Sequence, residues 1–484
     1  MGAPQIAAAK LRGFDQRAEL RALADQAFSR AAGAPLITGN GIALLRNGAE
    51  NYPAWLEAIE AARERIHFES YIIHDDQEGR RFAEALMAKA RAGVRVRLVY
   101  DWFGALGAAS FRYWRPLRRA GVEVRCFNPP RLGSPFGWMS RDHRKTLTVD
   151  GDIAFVSGLC VGRAWVGDAA RGIEPWRDTG VEVRGPAVAE VERAFAAIWA
   201  LAGPPLPPED QPAAAGEIPA VGGTALRVVA SAPHTAGVYR LDQLIATLAR
   251  RSIWLTDAYF VGTTPYFEAL KAAAEDGVDV RLLVPRAVDV PGMRSLSRAG
   301  FRGLLQSGVR IFEWAGPMLH AKTAVADGRW ARVGSTNLNI TSWMGNWELD
   351  VIAEDEDFAQ RMERMYAEDL EHAVEIVLQE GKRVRPADEP PKPRRMRVAG
   401  LSSAGGAAAG VARIGNTVGA AMTNRRALGP AEARLMFLAG VFLLLVITIG
   451  LLWPWVVAAP VLALAVWVAL SLLARSWRLR GGGP

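Results

Sequence analysis

Twice in the chain a histidine and a lysine stand two residues apart, with an aspartate five residues further on. The two sets are His143, Lys145 and Asp150, followed by Gly151, and His320, Lys322 and Asp327, followed by Gly328. The chain holds only six histidines in 484 residues, so one such HxKxxxxDG pattern would be a rare accident, and two in corresponding places are not an accident. The residue types suit attack on a phosphodiester. Such a substrate is anionic, and lysine ammonium groups shield its charge while a nucleophile approaches. One imidazole can bond to phosphorus while the other protonates the leaving oxygen, which needs one ring neutral and the other charged. The symmetry of the pattern leaves open which histidine does which.

The spacing also dictates local structure. Residues two apart on a strand face the same way, so each histidine projects with its lysine. Asp-Gly then predicts a type I′ hairpin turn. A two-residue turn would set Gly158 across from His143 and Ser335 across from His320. VSGLC (156–160), with Ser157, and VGSTN (333–337), with Asn337, would return beside the histidines as candidate phosphate donors.

The elements that must carry these hairpins are themselves duplicated. ARERIHFESYIIHDDQEGRRFAEALMAKARAGVRVRLVYD (62–101) matches ARRSIWLTDAYFVGTTPYFEALKAAAEDGVDVRLLVP (249–285) as strand, helix, strand. The stretches 66–73 and 253–261 are rich in β-branched and aromatic residues, 81–90 and 265–274 carry helical spacing, and 94–99 and 278–284 return to strand. Two β-α-β units predict an α/β protein with mixed sheets covered by helices. A Pro/Gly/Ala-rich stretch, 203–223, reads as the linker between them. The division is a short amphipathic segment over 1–34, a first lobe over 35–202, the linker, and a second lobe over 224–381. A basic, then Gly/Ala-rich connector over 382–434 follows, then an apolar region over 435–474 and a basic tail over 475–484.

With the paired HxKxxxxD motifs and GSTN after the second, the chain resembles the phospholipase D superfamily over about residues 35–380. DHRKTLTVDGDIAFVSG, PWRDTGVEVRGPAVAEVERAF and TDAYF are most similar to bacterial cardiolipin synthases. The resemblance implies a two-lobed α/β sandwich in which each lobe gives one motif to a single site. It also implies phosphatidyl transfer through a phosphohistidine, with no cofactor and no metal. On the family pattern His143 is the nucleophile and His320 the general acid, and Asp178 and Glu348 stand where acids orient the two rings. Asp150 and Asp327, though part of the catalytic motif, are expected to brace the hairpins. The pattern breaks at Cys160, which stands 17 residues after His143, as Asn337 stands 17 after His320; the family has Asn at both places. A thiol is a poor substitute for an amide, so the first half-site lacks one phosphate donor.

Charge and hydropathy bound the partners. The 58 basic and 50 acidic residues give a net charge of +8, but from Lys382 onward there are 14 basic and three acidic residues, a net of +11, which leaves −3 for residues 1–381. An acidic body argues against a nucleic-acid groove, and a basic tail beside apolar segments suits an anionic membrane. Leu435 to Ala474 is 40 residues without a charge, about 60 Å as one helix against a hydrocarbon core of ~30 Å. Trp453-Pro454-Trp455 at its middle predicts two transmembrane helices in a hairpin. Arg425, Arg426 and Arg434 before it and Arg475, Arg478 and Arg480 after it mark both ends as cytoplasmic, so the body is expected on the inner face of a bacterial cell membrane.

Two cysteines, Cys126 and Cys160, exclude a disulfide framework and a Cys-rich zinc site, and the N-terminal stretch lacks the apolar core of a signal peptide. His67, His74, His234 and His372 share no ligand spacing, and the Gly-rich runs carry no phosphate-loop lysine. The leading expectation is a membrane-anchored phosphatidyltransferase that makes cardiolipin from phosphatidylglycerol. A phospholipase releasing phosphatidic acid shares every residue named; a nuclease is disfavoured by the acidic body, and a catalytically silent scaffold is suggested only by Cys160.

Overall fold

The structure, a computed structural model, describes residues 19, 21–130, 139–379, 382–384 and 430–481. The first lobe contains strands β1 (Ile37–Arg46), β2 (Arg65–Ser70), β3 (Arg95–Asp101), β4 (Glu123–Phe127), β5 (Lys145–Val149), β6 (Ile153–Ser157) and β7 (Thr179–Arg184). The second contains β8 (Thr224–Ser231), β9 (Ser252–Thr256), β10 (Asp279–Ala287), β11 (Arg310–Met318), β12 (Thr323–Ala326), β13 (Trp330–Gly334) and β14 (Glu348–Glu354). β15 (Ala373–Gln379) and β16 (Lys382–Val384) extend its edge. The spatial order is β1-β7-β6-β5-β2-β3-β4 in one lobe and β8-β14-β13-β12-β9-β10-β11 in the other, the same path walked twice, with β1 and β8 paired antiparallel where the lobes meet.

Each predicted β-α-β unit forms. β2 and β3 run parallel, with Ile66 opposite Val96 and Phe68 opposite Leu98; β9 and β10 run parallel, with Ile253 opposite Val280. Helices α1 (Asn47–Ala61), α2 (Gln77–Arg91), α3 (Trp102–Ala105), α4 (Phe111–Arg119) and α5 (Val188–Ala202) belong to the first lobe. The second has α6 (Gly237–Leu248), α7 (Thr264–Glu275), α8 (Met293–Ala299), α9 (Phe301–Gln306), α10 (Ile340–Met344) and α11 (Glu356–Glu371). α2 and α7 cross between the parallel strands and bury Phe82 and Leu86, and Tyr266 and Leu270, against them. A third core lies between the lobes, where Val156, Val181 and Val183 meet Val333, Leu349 and Val351. That shared apolar layer fixes the lobes against each other.

The first strand of each unit ends earlier than its β-branched composition predicts. β2 stops at Ser70 and β9 at Thr256, and the chain then leaves the sheet carrying Tyr71 and Tyr259 toward the site. The N-terminal segment is held by the second lobe: residues 21–32 are helical, Ala32 and Ala34 join that lobe's core, and buried Arg227 donates to Ser29 Oγ at 2.6 Å and pairs with Asp25. The linker is tied down too, with Asp210 between Arg95 and Arg97, each at 2.8 Å.

Beyond the sheet, α12 (Pro430–Leu452) and α13 (Pro454–Gly481) break at Trp453, where the tryptophan-proline pair predicts a turn. Several side chains of these helices lie outside the described residues, as does most of the connector over 382–434. Among the described residues, no helix is long and apolar enough to cross a membrane.

Candidate active site

The Asp-Gly turns take the predicted form. Asp150 and Gly151 have φ of 55° and 77°, and Asp327 and Gly328 have 52° and 62°, with a hydrogen bond across each turn from Asp152 N to Val149 O and from Arg329 N to Ala326 O, both 3.1 Å. The register differs by one from a plain two-residue hairpin. Val149 pairs with Ile153 and Ala326 with Trp330, so Asp152 and Arg329 are extra residues of the bulge type, and the return strands slide by one position. In place of Gly158 and Ser335, this register extrapolates to Leu159 and Thr336 opposite the histidines.

Asp150 and Asp327 brace. The Asp150 carboxylate accepts from Arg63 N, Glu64 N and Arg65 N at 2.8 to 2.9 Å, and Asp327 accepts from Arg250 N, Arg251 N and Ser252 N at 2.7 to 3.0 Å. Each ties a hairpin turn to the start of the neighbouring strand, at the far end of β5 or β12 from the histidine.

The two histidines are buried at the seam, each held by a carboxylate of the opposite lobe. His143 Nδ1 lies 2.9 and 3.1 Å from the two oxygens of Glu348, and His320 Nδ1 lies 2.7 Å from Asp178 Oδ2. Backbone geometry enforces the exchange. Ahead of β5, Asp142 bridges to Trp347, with His143 N donating to Trp347 O at 2.9 Å; ahead of β12, Leu319 bridges to Arg177, with His320 N donating to Arg177 O at 2.7 Å. Since Trp347 precedes Glu348 and Arg177 precedes Asp178, each bridge sets an acid beside its ring. With Nδ1 engaged by carboxylate, Nε2 is the nitrogen available for chemistry.

The acids are positioned in turn. Glu348 accepts from Ser335 Oγ at 2.6 Å and from Asn346 Nδ2 at 3.2 Å. Asp178 accepts from Trp165 Nε1 at 2.9 Å and from Thr179 N at 2.8 Å. Gly158 explains itself here: a Cβ would stand 2.2 Å from Asp178 Oδ1, so the position must be bare. Ser157 Oγ accepts from Leu159 N at 3.1 Å within its own turn, while Asn337 Oδ1 is buried with no protein partner. Thus Ser335 reaches an acid, Gly158 makes room for one, Ser157 closes a local turn, and Asn337 alone of the four keeps a polar atom unspent.

Lys145 and Lys322 are buried and donate to the carbonyls of His143 and His320. Each ammonium also faces an aromatic ring, Tyr71 at 5.2 Å and Tyr259 at 5.8 Å, and the same tyrosines flank the histidines, with ring centroids 4.9 Å from His143 and 6.0 Å from His320. Burial and the Lys322 ammonium bring His320 down to about 3, against the pull of Asp178. His143 is lowered as well, chiefly by burial, with Glu348 opposing. Burial brings Lys322 down to about 8. Burial alone would raise the two acids, but the His320 ring with the Lys322 ammonium holds Asp178, and the His143 ring with the Lys145 ammonium holds Glu348, below the ordinary carboxylate range. Both imidazoles are therefore held toward the neutral form, beside two lysines and two carboxylates. Among the described residues no group of three or more His, Cys, Asp or Glu could hold a metal ion.

A family model described as "Cardiolipin synthase, PLD-like domain" matches residues 55–199 and 243–370, which contain both His-Lys pairs and both acids. Cardiolipin synthase A of Pseudomonas fluorescens is 34% identical over 361 residues, 72% of this chain and 73% of that protein. The cardiolipin synthase of Geobacillus kaustophilus is 33% identical over 356 residues, 71% of this chain and 68% of that one. The chain belongs to the cardiolipin synthase family of phospholipase D-like proteins. Its fold is also that of a solved phosphatidylserine synthase from Haemophilus influenzae, at a TM-score of 0.56 and 14% identity, over 72% of this chain and 90% of the other.

Four supports of this family member's site escape a reading of its motifs. Tyr71 and Tyr259 had a signal, since a tyrosine follows within three residues of the first strand of both repeats. Trp165 and Asn346 had none, because they act through folded loops that bring them to Asp178 and Glu348. Arg144, between the motif histidine and lysine, is also buried; it donates to Glu348 O at 3.1 Å and, across to the second lobe's β8, to Ser231 O at 3.2 Å.

Proposed function

We propose that the chain is a membrane-anchored phosphatidyltransferase that makes cardiolipin, carrying the phosphatidyl group on His143. The observation that carries this reading is the crossed pairing of each histidine with the other lobe's acid, which leaves two Nε2 atoms and two ammonium groups to serve one phosphodiester. In the first half-reaction neutral His143 Nε2 attacks phosphorus, the bond from phosphorus to the leaving glycerol oxygen breaks, and His320 gives that oxygen its proton. In the second, the hydroxyl of phosphatidylglycerol attacks the phosphohistidine, His320 takes the hydroxyl proton, and the bond from His143 to phosphorus breaks. Lys145 and Lys322 balance the charge on the non-bridging oxygens, and Asn337 offers a donor there.

His320 must be protonated for the first step, which burial and Lys322 oppose. The phosphodiester's own negative charge supplies the compensation, so substrate binding and protonation of His320 are coupled. Glu348 holds the nucleophilic ring in one tautomer, and Asp178 stabilises the imidazolium when it forms.

The 40-residue uncharged run and its flanking arginines support α12 and α13 as a hairpin anchor that places the body on the cytoplasmic face of a bacterial inner membrane. Purified protein incubated in vesicles with phosphatidylglycerol should yield cardiolipin by mass spectrometry, and a strong chelator should leave the rate unchanged. Phosphatidic acid as the product would replace the transferase with a phospholipase, and no lipid turnover would leave only a scaffold.

A further inference from the structure

The segment joining β3 to β4 differs in kind from its counterpart joining β10 to β11. It runs from Trp102 through α3 and α4 to Val122 and contains Arg112, Arg115, Arg118 and Arg119 without one acidic residue. All four arginines are exposed and none is in an ion pair among the described residues. Two large apolar side chains stand out beside them, Leu106 at 43% and Phe111 at 69% exposure. In the second lobe, α8 and α9 occupy the equivalent place. There Arg294 and Arg298 pair with Glu313, the first at 3.2 Å, and Phe301 is 1% exposed. One copy pairs two of its three arginines and buries its phenylalanine; the other leaves all four arginines unpaired among the described residues and presents apolar side chains to solvent.

The exposed copy is attached directly to the site. Asp101 caps α3, accepting from Phe103 N at 2.8 Å and Gly104 N at 3.1 Å, and the same carboxylate accepts from Asp142 N at 3.0 Å and pairs with Arg141 at 3.1 Å, next to His143. Gly104 lies so close to Tyr71 that a Cβ would stand 2.1 Å from its carbonyl oxygen, and Tyr71 is the ring against His143. We infer that Leu106, Phe111 and the four arginines form a docking surface for an anionic phospholipid bilayer, which sets the nucleophile's side of the site against the membrane. The occupant follows from charge complementarity: arginines without acids attract the negative surface of phosphatidylglycerol-rich membranes, while Leu106 and Phe111 enter the headgroup boundary. This rests on the lipid-substrate reading, but the test reads position and not product, so either can fail alone.

The full chain, with Cys126→Ser and a single new cysteine bearing an environment-sensitive fluorophore, would be reconstituted into vesicles of phosphatidylcholine with or without phosphatidylglycerol. A label at Phe111→Cys is expected to shift to the blue and be quenched by lipid-borne quenchers only when phosphatidylglycerol is present, and to return to water at high salt. A label at Leu248→Cys, an exposed site on the second lobe, should stay in water. Arg112→Glu, Arg115→Glu and Arg119→Glu together should abolish the shift, at about fivefold in the shielded-to-exposed ratio for each arginine neutralised. If the variant fails to fold, the salt response of the unmutated surface serves as the charge test. A Phe111 label that stays in water, is shielded equally in both vesicles, resists salt, or is matched by the Leu248 label overturns the inference.

Discussion

The two half-sites share a motif, a hairpin and a buried lysine, yet they are supported in different ways. His143 sits between both oxygens of Glu348, an acid fixed by Ser335 and Asn346; His320 meets one oxygen of Asp178, fixed by Trp165 and fitted over Gly158. The longer glutamate spans the space that Ser335 leaves, and the shorter aspartate fills the space that a glycine leaves. Because each acid comes from the other lobe, neither lobe contains a complete half-site. Two copies of one motif thus meet in a single site through the exchange of their acids, and the proposed mechanism assigns one histidine as nucleophile and the other as acid.

The sharpest way to break that division of labour is to remove each ring. His143→Ala should lose about four orders of magnitude or more on lipid and on a nitrophenyl phosphodiester alike, since no covalent intermediate can form. His320→Ala should lose about two to four orders on lipid but retain most activity on the nitrophenyl substrate, whose leaving group needs no proton. A phosphoryl adduct mapped by peptide mass spectrometry to His320, with His143→Ala active on the nitrophenyl substrate, would reverse the roles.

The acids sharpen the same comparison at a smaller scale. Glu348→Gln should cost about a hundredfold on both substrates, because it misplaces the nucleophile. Asp178→Asn should cost about as much on lipid and much less on the nitrophenyl ester, because it acts only through the general acid. Equal losses on both substrates for both variants would mean that the acids hold the fold and do not divide between the roles.

Stability against pH separates His320 from its surroundings. Its folded value of about 3 lies below the ordinary histidine value of about 6.5, so between these limits the unfolded chain binds the extra proton and stability falls as pH falls. At pH 5 the share of the loss due to His320, relative to pH 7, should be about 2 kcal/mol, and because buried His67, also brought down to about 3, adds a loss of its own, His320→Gln should lessen the total seen in denaturant unfolding by that share and not abolish it. Lys322, lowered to about 8, should set an alkaline limb in kcat/KM near that pH, and Lys322→Arg, which cannot deprotonate there, should move the limb upward.

Much of this was legible before folding was considered. His143, Lys145, His320 and Lys322 announce themselves by spacing, and the repeat at 62–101 and 249–285 gives the β-α-β units and their parallel strands. The Asp-Gly turns followed from the need for positive φ at two successive residues, but the one-residue bulge did not, because bulges depend on the twist of the partner strands. Asp178 and Glu348 could be placed by resemblance, yet their crossing between lobes is a property of the parallel bridges at Asp142 and Leu319. Local sequence carries no trace of those bridges. Trp165 and Asn346 were invisible for the same reason, as was the attachment of residues 21–32 to the second lobe.

The smallest expected effect tests the position where one half-site has a thiol and the other an amide. Cys160 packs in the first lobe's core beside Leu159 and Val161, its carbonyl accepting from Tyr52 Oη at 2.7 Å, and burial pushes its thiol up, away from the reactive thiolate. Asn337, at the matching place, is buried, and its Nδ2 is the donor that a thiol at Cys160 cannot supply. If the first half-site has adapted to its thiol, Cys160→Asn inserts an amide into an apolar cluster and should cost about 1–3 kcal/mol of stability. Activity should then change by less than about threefold, roughly the worth of one weak neutral hydrogen bond at most. Unfolding midpoints and kcat/KM on vesicle substrate measure the two effects separately. A rise above tenfold with stability unchanged would show instead that His143's side of the site lacks a phosphate donor, and that the asymmetry between the lobes is a loss and not a division of roles.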